Sequence, residues 1–170
     1  MKIFILALLA ILFLSCRNTN FVEIPFFEIE LELSEMAERR LLQDRETIII
    51  AAYFHSLLSR VENIENLPRR YRRHKNQHMG EISILSHSIE ITDNRLVRFE
   101  NLKMSKYLYN LLGEKNIFVL INVFSGRRST NLNILHCAIL IAPLNKFREK
   151  RFTLNGGLIG EEIIINNIIR

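Results

Sequence analysis

His136 and Cys137 are adjacent and form the most reactive pair of neighbouring side chains in the sequence. Residues 134–144 have the composition of a strand, on which consecutive side chains point to opposite faces, so these two cannot form a catalytic dyad with each other. The sequence has two aspartates, Asp44 and Asp93, in charged or turn-like stretches, and it has no Gly-x-Ser-x-Gly motif. We therefore expect Cys137 to be a small buried apolar residue, and we expect no catalytic residues and no enzyme activity.

His74 and His78 are four residues apart, a spacing that puts two metal ligands on one face of a helix. Zinc requires a third and a fourth ligand, and the residues around this pair are mostly arginine, asparagine and glutamine. The sequence therefore predicts no metal site and no other cofactor.

The densest charge in the chain lies in the basic segment, residues 68–75, which carries five cations within seven positions. Guanidinium groups bind phosphate or carboxylate in a bidentate manner, and an interleaved tyrosine can stack on a ring. The segment is either a solvated loop or a contact for lipid head groups, lipopolysaccharide phosphates or an acidic partner. The candidate contact residues are Arg69, Arg70, Tyr71, Arg72 and Arg73.

A second candidate anion contact is the polar loop of residues 125–133, in which Arg127 and Arg128 lie beside hydroxyl groups and a glycine. It has neither the residue spacing nor the lysine of a phosphate-binding P-loop. The three glycines between residues 156 and 160 do not form a dinucleotide-binding fingerprint, because no βαβ unit surrounds them. We expect residues 155–157 to be the turn of a hairpin instead.

Apolar alternation and continuous apolar runs predict seven or eight short strands and two short helices. The predicted strands are residues 28–33, 47–54, 81–92, 96–99, 117–124, 134–144, 146–154 and 158–165. The predicted helices are residues 57–67, which end at Pro68, and residues 104–112, which end at Gly113. The charged stretch 34–45 is either a further short helix or an excursion. Because long helices do not separate the strands, we expect a mainly β fold, an antiparallel β-sandwich.

The far end of the sequence is strongly apolar, with isoleucines at 163–165 and again at 168–169. Such a segment is either a final core strand or an edge that pairs with another subunit, because an uncovered apolar edge attracts partners. The sequence leaves both interpretations open.

The start of the sequence combines Lys2 with an unbroken apolar run, residues 3–14, and a small residue before Cys16. The run is shorter than the roughly 20 residues that cross a bilayer, and it is typical of a removable export signal. Residues 13–16, Phe-Leu-Ser-Cys, resemble the lipobox of bacterial lipoproteins, with phenylalanine in place of the usual leucine. The resemblance implies that Cys16 becomes the first residue and carries acyl chains such as palmitate.

This interpretation divides the chain into a signal peptide (residues 1–15), a short tether (16–20) and a single β-sandwich domain (21–170). The tether is so short that we expect the domain to lie close to a membrane. Removal of the signal lowers the formal net charge from +5 to +4, since Lys2 is its one charged residue.

Acylation of Cys16 would leave Cys137 as the one thiol, so we expect a fold without an internal disulfide. Arg17 follows the cysteine, which resembles the outer-membrane sorting pattern of some Gram-negative bacteria. We therefore expect a lipid-anchored protein of the cell envelope, at the periplasmic face of the outer membrane in preference to the inner one. We expect no nucleic-acid partner.

The order of elements near the start is similar to that of the outer-membrane lipoprotein of type VI secretion systems, which has a transthyretin-like β-sandwich. The resemblance rests on the strand pattern at 29–33, the charged insertion 34–45 and the strong strand 47–54. It implies a binding or assembly module with a protein partner in the envelope. The alternative function is a receptor for an anionic lipid or glycan, and an exported enzyme is the third hypothesis.

Overall fold

The computed structural model of the protein describes residues 20–61, 64–72, 80–161 and 168–169, and this part of the chain is mainly β. Its strands are β1 (Phe21–Glu23), β2 (Phe27–Leu33), β3 (Ile48–Leu57), β4 (Glu81–Ile91), β5 (Leu96–Phe99), β6 (Lys103–Ser105), β7 (Phe118–Ser125), β8 (Leu135–Cys137), β9 (Leu140–Pro143), β10 (Arg151–Leu158) and β11 (Ile168–Ile169). Its α-helices are α1 (Glu35–Asp44), α2 (Arg69–Arg72) and α3 (Lys106–Leu112). Two sheets enclose one hydrophobic core, so the β-sandwich expected from the sequence is confirmed.

The first sheet is built around β10, which pairs with three other strands. The order is β11–β10–β2–β5, and β8 pairs with the later half of β10. β2 and β10 are parallel, with Ile29 opposite Phe152 and Leu31 opposite Leu154. All four side chains are buried, and a slip of one residue would expose them, so the core fixes this register. The otherwise antiparallel sandwich thus contains one parallel pair.

The second sheet has the order β4–β3–β7–β9, and all its pairs are antiparallel. β3 lies at its centre, as the continuously apolar sequence at 47–54 predicts. Ile48, Ile50 and Phe54 point to the core and are fully buried. The two sheets meet at Phe27 of β2, whose ring centroid is 6.5 Å from that of Phe54.

A small ribbon closes one end of the sandwich. β1 pairs with β6, and β6 leads directly into α3, whose first residue, Lys106, donates its N–H to the Asn20 carbonyl at 2.9 Å. α3 ends at Gly113, which has a φ of +71° and donates its N–H to the Tyr109 carbonyl. The helix predicted at 104–112 is confirmed from Lys106 onward, whereas Met104 belongs to β6.

The charged stretch 34–45 is a helix, α1, at the other end of β2. Ser34 caps it by accepting the Ala37 N–H at 3.1 Å, and Arg45 ends it in the left-handed conformation. Ala37 and Leu41 are buried on its inner face. Within the described residues, no helix has the length and apolar character needed to cross a membrane.

The helix predicted at 57–67 is wrong. Leu57 ends β3, and the chain continues in two short 3₁₀ turns, Leu58–Arg60 and Ile64–Asn66. Apolar residues in this stretch recur every three positions, at 58, 61, 64 and 67, which matches the three-residue repeat of a 3₁₀ helix. The pattern was therefore periodic with a tighter period than that of an α-helix.

The hairpin turn predicted at residues 155–157 is also wrong, because these residues continue β10. Gly156 lies between two strands, opposite Leu33 of β2 and Cys137 of β8. A Cβ atom at this position would overlap the Cys137 sulfur and approach Leu33 Cδ2 to 2.9 Å. The glycine provides space for a neighbouring strand. The strand predicted at 158–165 is wrong where it can be checked, because β10 ends at Leu158 and residues 159–161 form a turn, while 162–165 lie outside the described residues.

The strand predicted at 134–144 is divided into β8 and β9, which belong to different sheets. Ala138 and Ile139 lie between them, and the Ala138 N–H donates to the Asn155 carbonyl at 2.8 Å. The apolar run is continuous although the chain changes sheets within it, with Ala138 buried and Ile139 exposed at the crossing.

The close packing at Gly156 predicts a large cost for added volume. We expect G156A to lower the free energy of unfolding by about 1–3 kcal/mol, since overpacking a filled site forces its neighbours to shift. Urea unfolding followed by circular dichroism measures this loss. In a C137A background the sulfur is absent, so G156A should lower the free energy of unfolding by less than it does in the wild-type protein. A G156A protein as stable as the wild type would contradict this account.

Candidate functional site

The two anion contacts predicted from the sequence lie at opposite ends of β3. The loop 125–133 adjoins the start of this strand, where Ile48 is opposite Ser125. The basic segment follows its end, after Leu57. The ten residues of β3 span roughly 33 Å. The hydrogen bonds given for the arginine side of the loop are to Glu46 and Glu90 and not to the described residues of the basic segment.

The described part of the basic segment is a single helical turn, α2. Arg69 is exposed, whereas Tyr71 is half-buried and packs against the core. Arg70 and Arg72 belong to the same turn. Arg73, the two histidines at 74 and 78, and Cys16 lie outside the described residues.

The loop 125–133 does hold an anion, and that anion is the carboxylate of Glu46. One carboxylate oxygen accepts the N–H groups of Thr47 and Arg128 at 3.0 and 2.9 Å. The other accepts the N–H and the hydroxyl of Ser129 at 2.9 and 2.7 Å. Glu46 is only 5% exposed, so four donors replace the water that the carboxylate loses on folding.

These contacts determine the charge state of Glu46. Burial alone raises the pKa of its carboxyl group, but the hydrogen bonds from Arg128, Ser129 and Thr47 outweigh burial and lower the pKa to about 2. Glu46 is therefore ionised at neutral pH and holds the loop against the start of β3.

The side chain of Arg128 is also bound within the protein. Its guanidinium donates to both carboxylate oxygens of Glu90 on β4, at 2.9 and 2.8 Å. Thr47 donates its hydroxyl to the same carboxylate at 2.6 Å. An external anion would have to displace Glu90 from Arg128. Arg127 is exposed, with a φ of +60°.

Cys137 is buried, as the alternation on its strand predicts, whereas His136 is exposed. Burial raises the pKa of the Cys137 thiol to about 12, so the thiolate is scarce at neutral pH. Among the described residues, no group of three or more histidine, cysteine, aspartate or glutamate side chains is arranged to hold a metal ion.

A groove of about 680 Å³ lies between α1 and the turn from β4 to β5. Arg95 forms one wall and donates to both carboxylate oxygens of Glu38, at 2.8 and 2.6 Å. Hydrogen bonding from Arg95 lowers the pKa of the Glu38 carboxyl group. Arg39, Arg45 and the exposed Leu42 also line the groove, together with Glu46 and Asp93, so its three arginines face three acidic residues.

The side of the second sheet that faces away from the core carries six large apolar side chains, interrupted at Asn122, and we call it the open sheet face (Ile49, Tyr53, Phe118, Leu120, Phe124 and Ile141). Cross-strand pairs define it: Tyr53 is opposite Leu120, which is opposite Ile141. Tyr53 is 41% exposed and Ile141 is 56% exposed. The other four are half-buried. Sequence reasoning missed this surface, although the stretch 47–54 is apolar on both faces.

One end of the open sheet face carries polar and charged groups. The Arg60 guanidinium lies over the Phe118 ring, 4.7 Å from its centroid, and the His55 ring stacks on the same phenylalanine. His55 also lies 3.5 Å from Glu81. An apolar centre with a polar border is the usual composition of a protein contact surface.

The Glu46 contacts predict a pH-dependent contribution to stability. The folded pKa of about 2 is below the ordinary value of 4.5, so ionised Glu46 stabilises the fold above about pH 4.5, and this stabilisation is lost as the pH falls toward 2. We expect E46Q to lower the free energy of unfolding by about 2–3 kcal/mol at pH 7, with a smaller difference from wild type at pH 3.

Urea unfolding at several pH values measures this effect, and E32Q is the matched control because Glu32 is exposed on β2. A difference between E46Q and wild type that stays constant from pH 7 to pH 3 would show that the charge of Glu46 is unimportant.

Comparisons with protein-family models, with curated proteins and with solved structures find no match to this chain.

Proposed function

We propose that the protein is a membrane-anchored lipoprotein of the bacterial cell envelope that acts as a binding or assembly module. The observation that carries the binding role is the open sheet face. A sheet that packs a core on one side normally presents polar side chains to water on the other. Here the outward row of Tyr53, Leu120 and Ile141 crosses three adjacent strands with apolar side chains.

The edge of the same sheet supports this role. β9 is the last strand in the order, and Ile141 on β9 and Ile139 just before it are both more than half exposed. Contiguous exposed apolar surface is rare on monomeric proteins and is typical of interaction sites. A protein partner would cover this surface and remove apolar area from water.

The anchor is proposed from the sequence of the first sixteen residues. A twelve-residue apolar run, residues 3–14, that is followed by Ser15 and Cys16 fits an export signal with a lipid-attachment cysteine. Two or more acyl chains hold a protein stably at a membrane, because each buried methylene contributes about 0.8 kcal/mol. The outer membrane, at its periplasmic face, is the proposed location.

We further propose a role in a secretion-system membrane complex of the type VI kind. The supporting feature is the order of β2, α1 and β3, which follows the strand, charged insertion and strand of that family. Only this order of elements supports the likeness, so the specific complex is a narrower proposal than the binding role.

The anchor predicts covalent lipid at Cys16. We expect the full-length protein, expressed in a Gram-negative host with radiolabelled palmitate, to incorporate label and to float with membranes in a density gradient. C16S should lose the label, retain its signal segment and run at a higher mass on a gel. Label retained in C16S would refute lipid attachment at this residue, and C137S is the control because Cys137 is buried.

The binding role predicts a partner at the open sheet face. We expect a benzoylphenylalanine photocrosslinker at Ile141 to give a discrete adduct of higher mass in intact envelopes. The same crosslinker at Leu42, which is 78% exposed on α1, should give none, because that residue lies outside the face. Equal crosslinking at both positions, or none at Ile141, would argue against this surface as the contact.

A further inference from the structure

The tether enters the fold at a fixed point beside α3. β1 begins at Phe21, directly after Asn20, whose carbonyl accepts the Lys106 N–H at 2.9 Å. Five residue steps separate Cys16 from Phe21, and they span at most roughly 18 Å when fully extended. A lipid on Cys16 would therefore keep this end of the domain at the membrane surface.

Exposed aromatic and basic side chains gather at the same end, and we call them the ribbon-end surface (Phe21, Lys106, Tyr107 and Arg69). Phe21 is 57% exposed and Tyr107 is 52% exposed. The Tyr107 hydroxyl donates to the Asn66 carbonyl, which holds the 3₁₀ turn Ile64–Asn66, three residues before Arg69, against α3. Rings at the level of the head groups, with cations beside them, are characteristic of surfaces that lie on a bilayer.

We propose that the ribbon-end surface lies directly on an anionic lipid bilayer and holds the anchored domain in one orientation. The inference rests on the proposed anchor at Cys16 and deepens it, since the anchor alone would allow the domain to tumble on its tether. A second, non-covalent contact would remove that freedom without any further protein.

Basic side chains outnumber acidic ones at this end, with Lys103, Lys106 and Arg69 against Glu23 and the exposed Glu65. Glu23 is directly opposite Lys103 in the ribbon, so these two offset each other. Lys106 and Arg69 are exposed, and neither forms an ion pair with a carboxylate in the part of the chain that the structure describes. A cation close to an anionic bilayer strengthens binding by about fivefold.

The opposite end of the domain provides an internal control. β2 runs from the ribbon to α1, a distance of roughly 20 Å for seven strand residues. Leu42 on α1 is 78% exposed, so it is also an apolar side chain in water. Apolar character alone therefore does not distinguish the ends, and only the orientation proposed here places Phe21 in lipid and Leu42 in water.

Tryptophan fluorescence tests this orientation, because the chain contains no tryptophan. The full-length lipidated variants F21W and L42W are reconstituted in vesicles of phosphatidylethanolamine and phosphatidylglycerol with brominated acyl chains, which quench an indole that enters the bilayer. We expect several-fold stronger quenching for F21W than for L42W, together with a blue shift for F21W alone.

Adding R69E and K106E to F21W should reduce the quenching while the protein still floats with the vesicles. Replacing phosphatidylglycerol by phosphatidylcholine should have the same effect. These two results would support contact with anionic lipid specifically.

Three results would overturn the proposal. Equal quenching of F21W and L42W in floating vesicles would leave the anchor intact and refute the orientation. A blue shift of F21W without quenching by bromine would mean that protein, not lipid, covers the surface. A wild-type protein that does not float would refute the anchor and with it this inference.

Discussion

The burial of Phe27 is the constraint on which the rest of the fold depends. Its ring stacks on Phe99 at 4.9 Å, meets Phe147 edge-on at 5.0 Å and contacts Phe54 at 6.5 Å. These rings come from β2, β5, β3 and the turn before β10. The Phe27 side chain therefore contacts both sheets, and it links the early strands to residues more than a hundred positions later in the chain. The described residues contain one cysteine, which is free and buried, and this aromatic cluster does the work that disulfides do in many exported domains.

The strands that form the open sheet face could largely be predicted from sequence. The contacts between residues distant in sequence could not. The runs at 47–54 and 117–124 are β-branched and apolar, and both form strands as expected, whereas their pairing was not predicted. Gly156 was misread because sequence does not say whether a glycine serves a turn or a close approach. That distinction depends on Cys137 and Leu33, which are distant in sequence.

The loop 125–133 was recognised as suited to an anion, but its ligand could not be. Glu46 lies about eighty residues earlier and looks like one more surface charge. Its role arises only when β3 and β7 pair and bring its carboxylate under the loop. The carboxylate of Glu46 accepts the hydrogen bonds that an external phosphate would otherwise accept. The loop therefore has a structural role where the sequence suggested a ligand site.

The parallel pairing of β2 and β10 has a kinetic consequence. Glu28 and Arg151 are opposite each other and joined by a salt bridge, yet they are 123 positions apart. The first sheet cannot form until almost the whole chain is present, and contacts of such long range fold slowly. A chain that must cross a membrane before it folds benefits from this delay. Under the proposed export, this long-range pairing would delay completion of the first sheet until β10 has left the translocation channel.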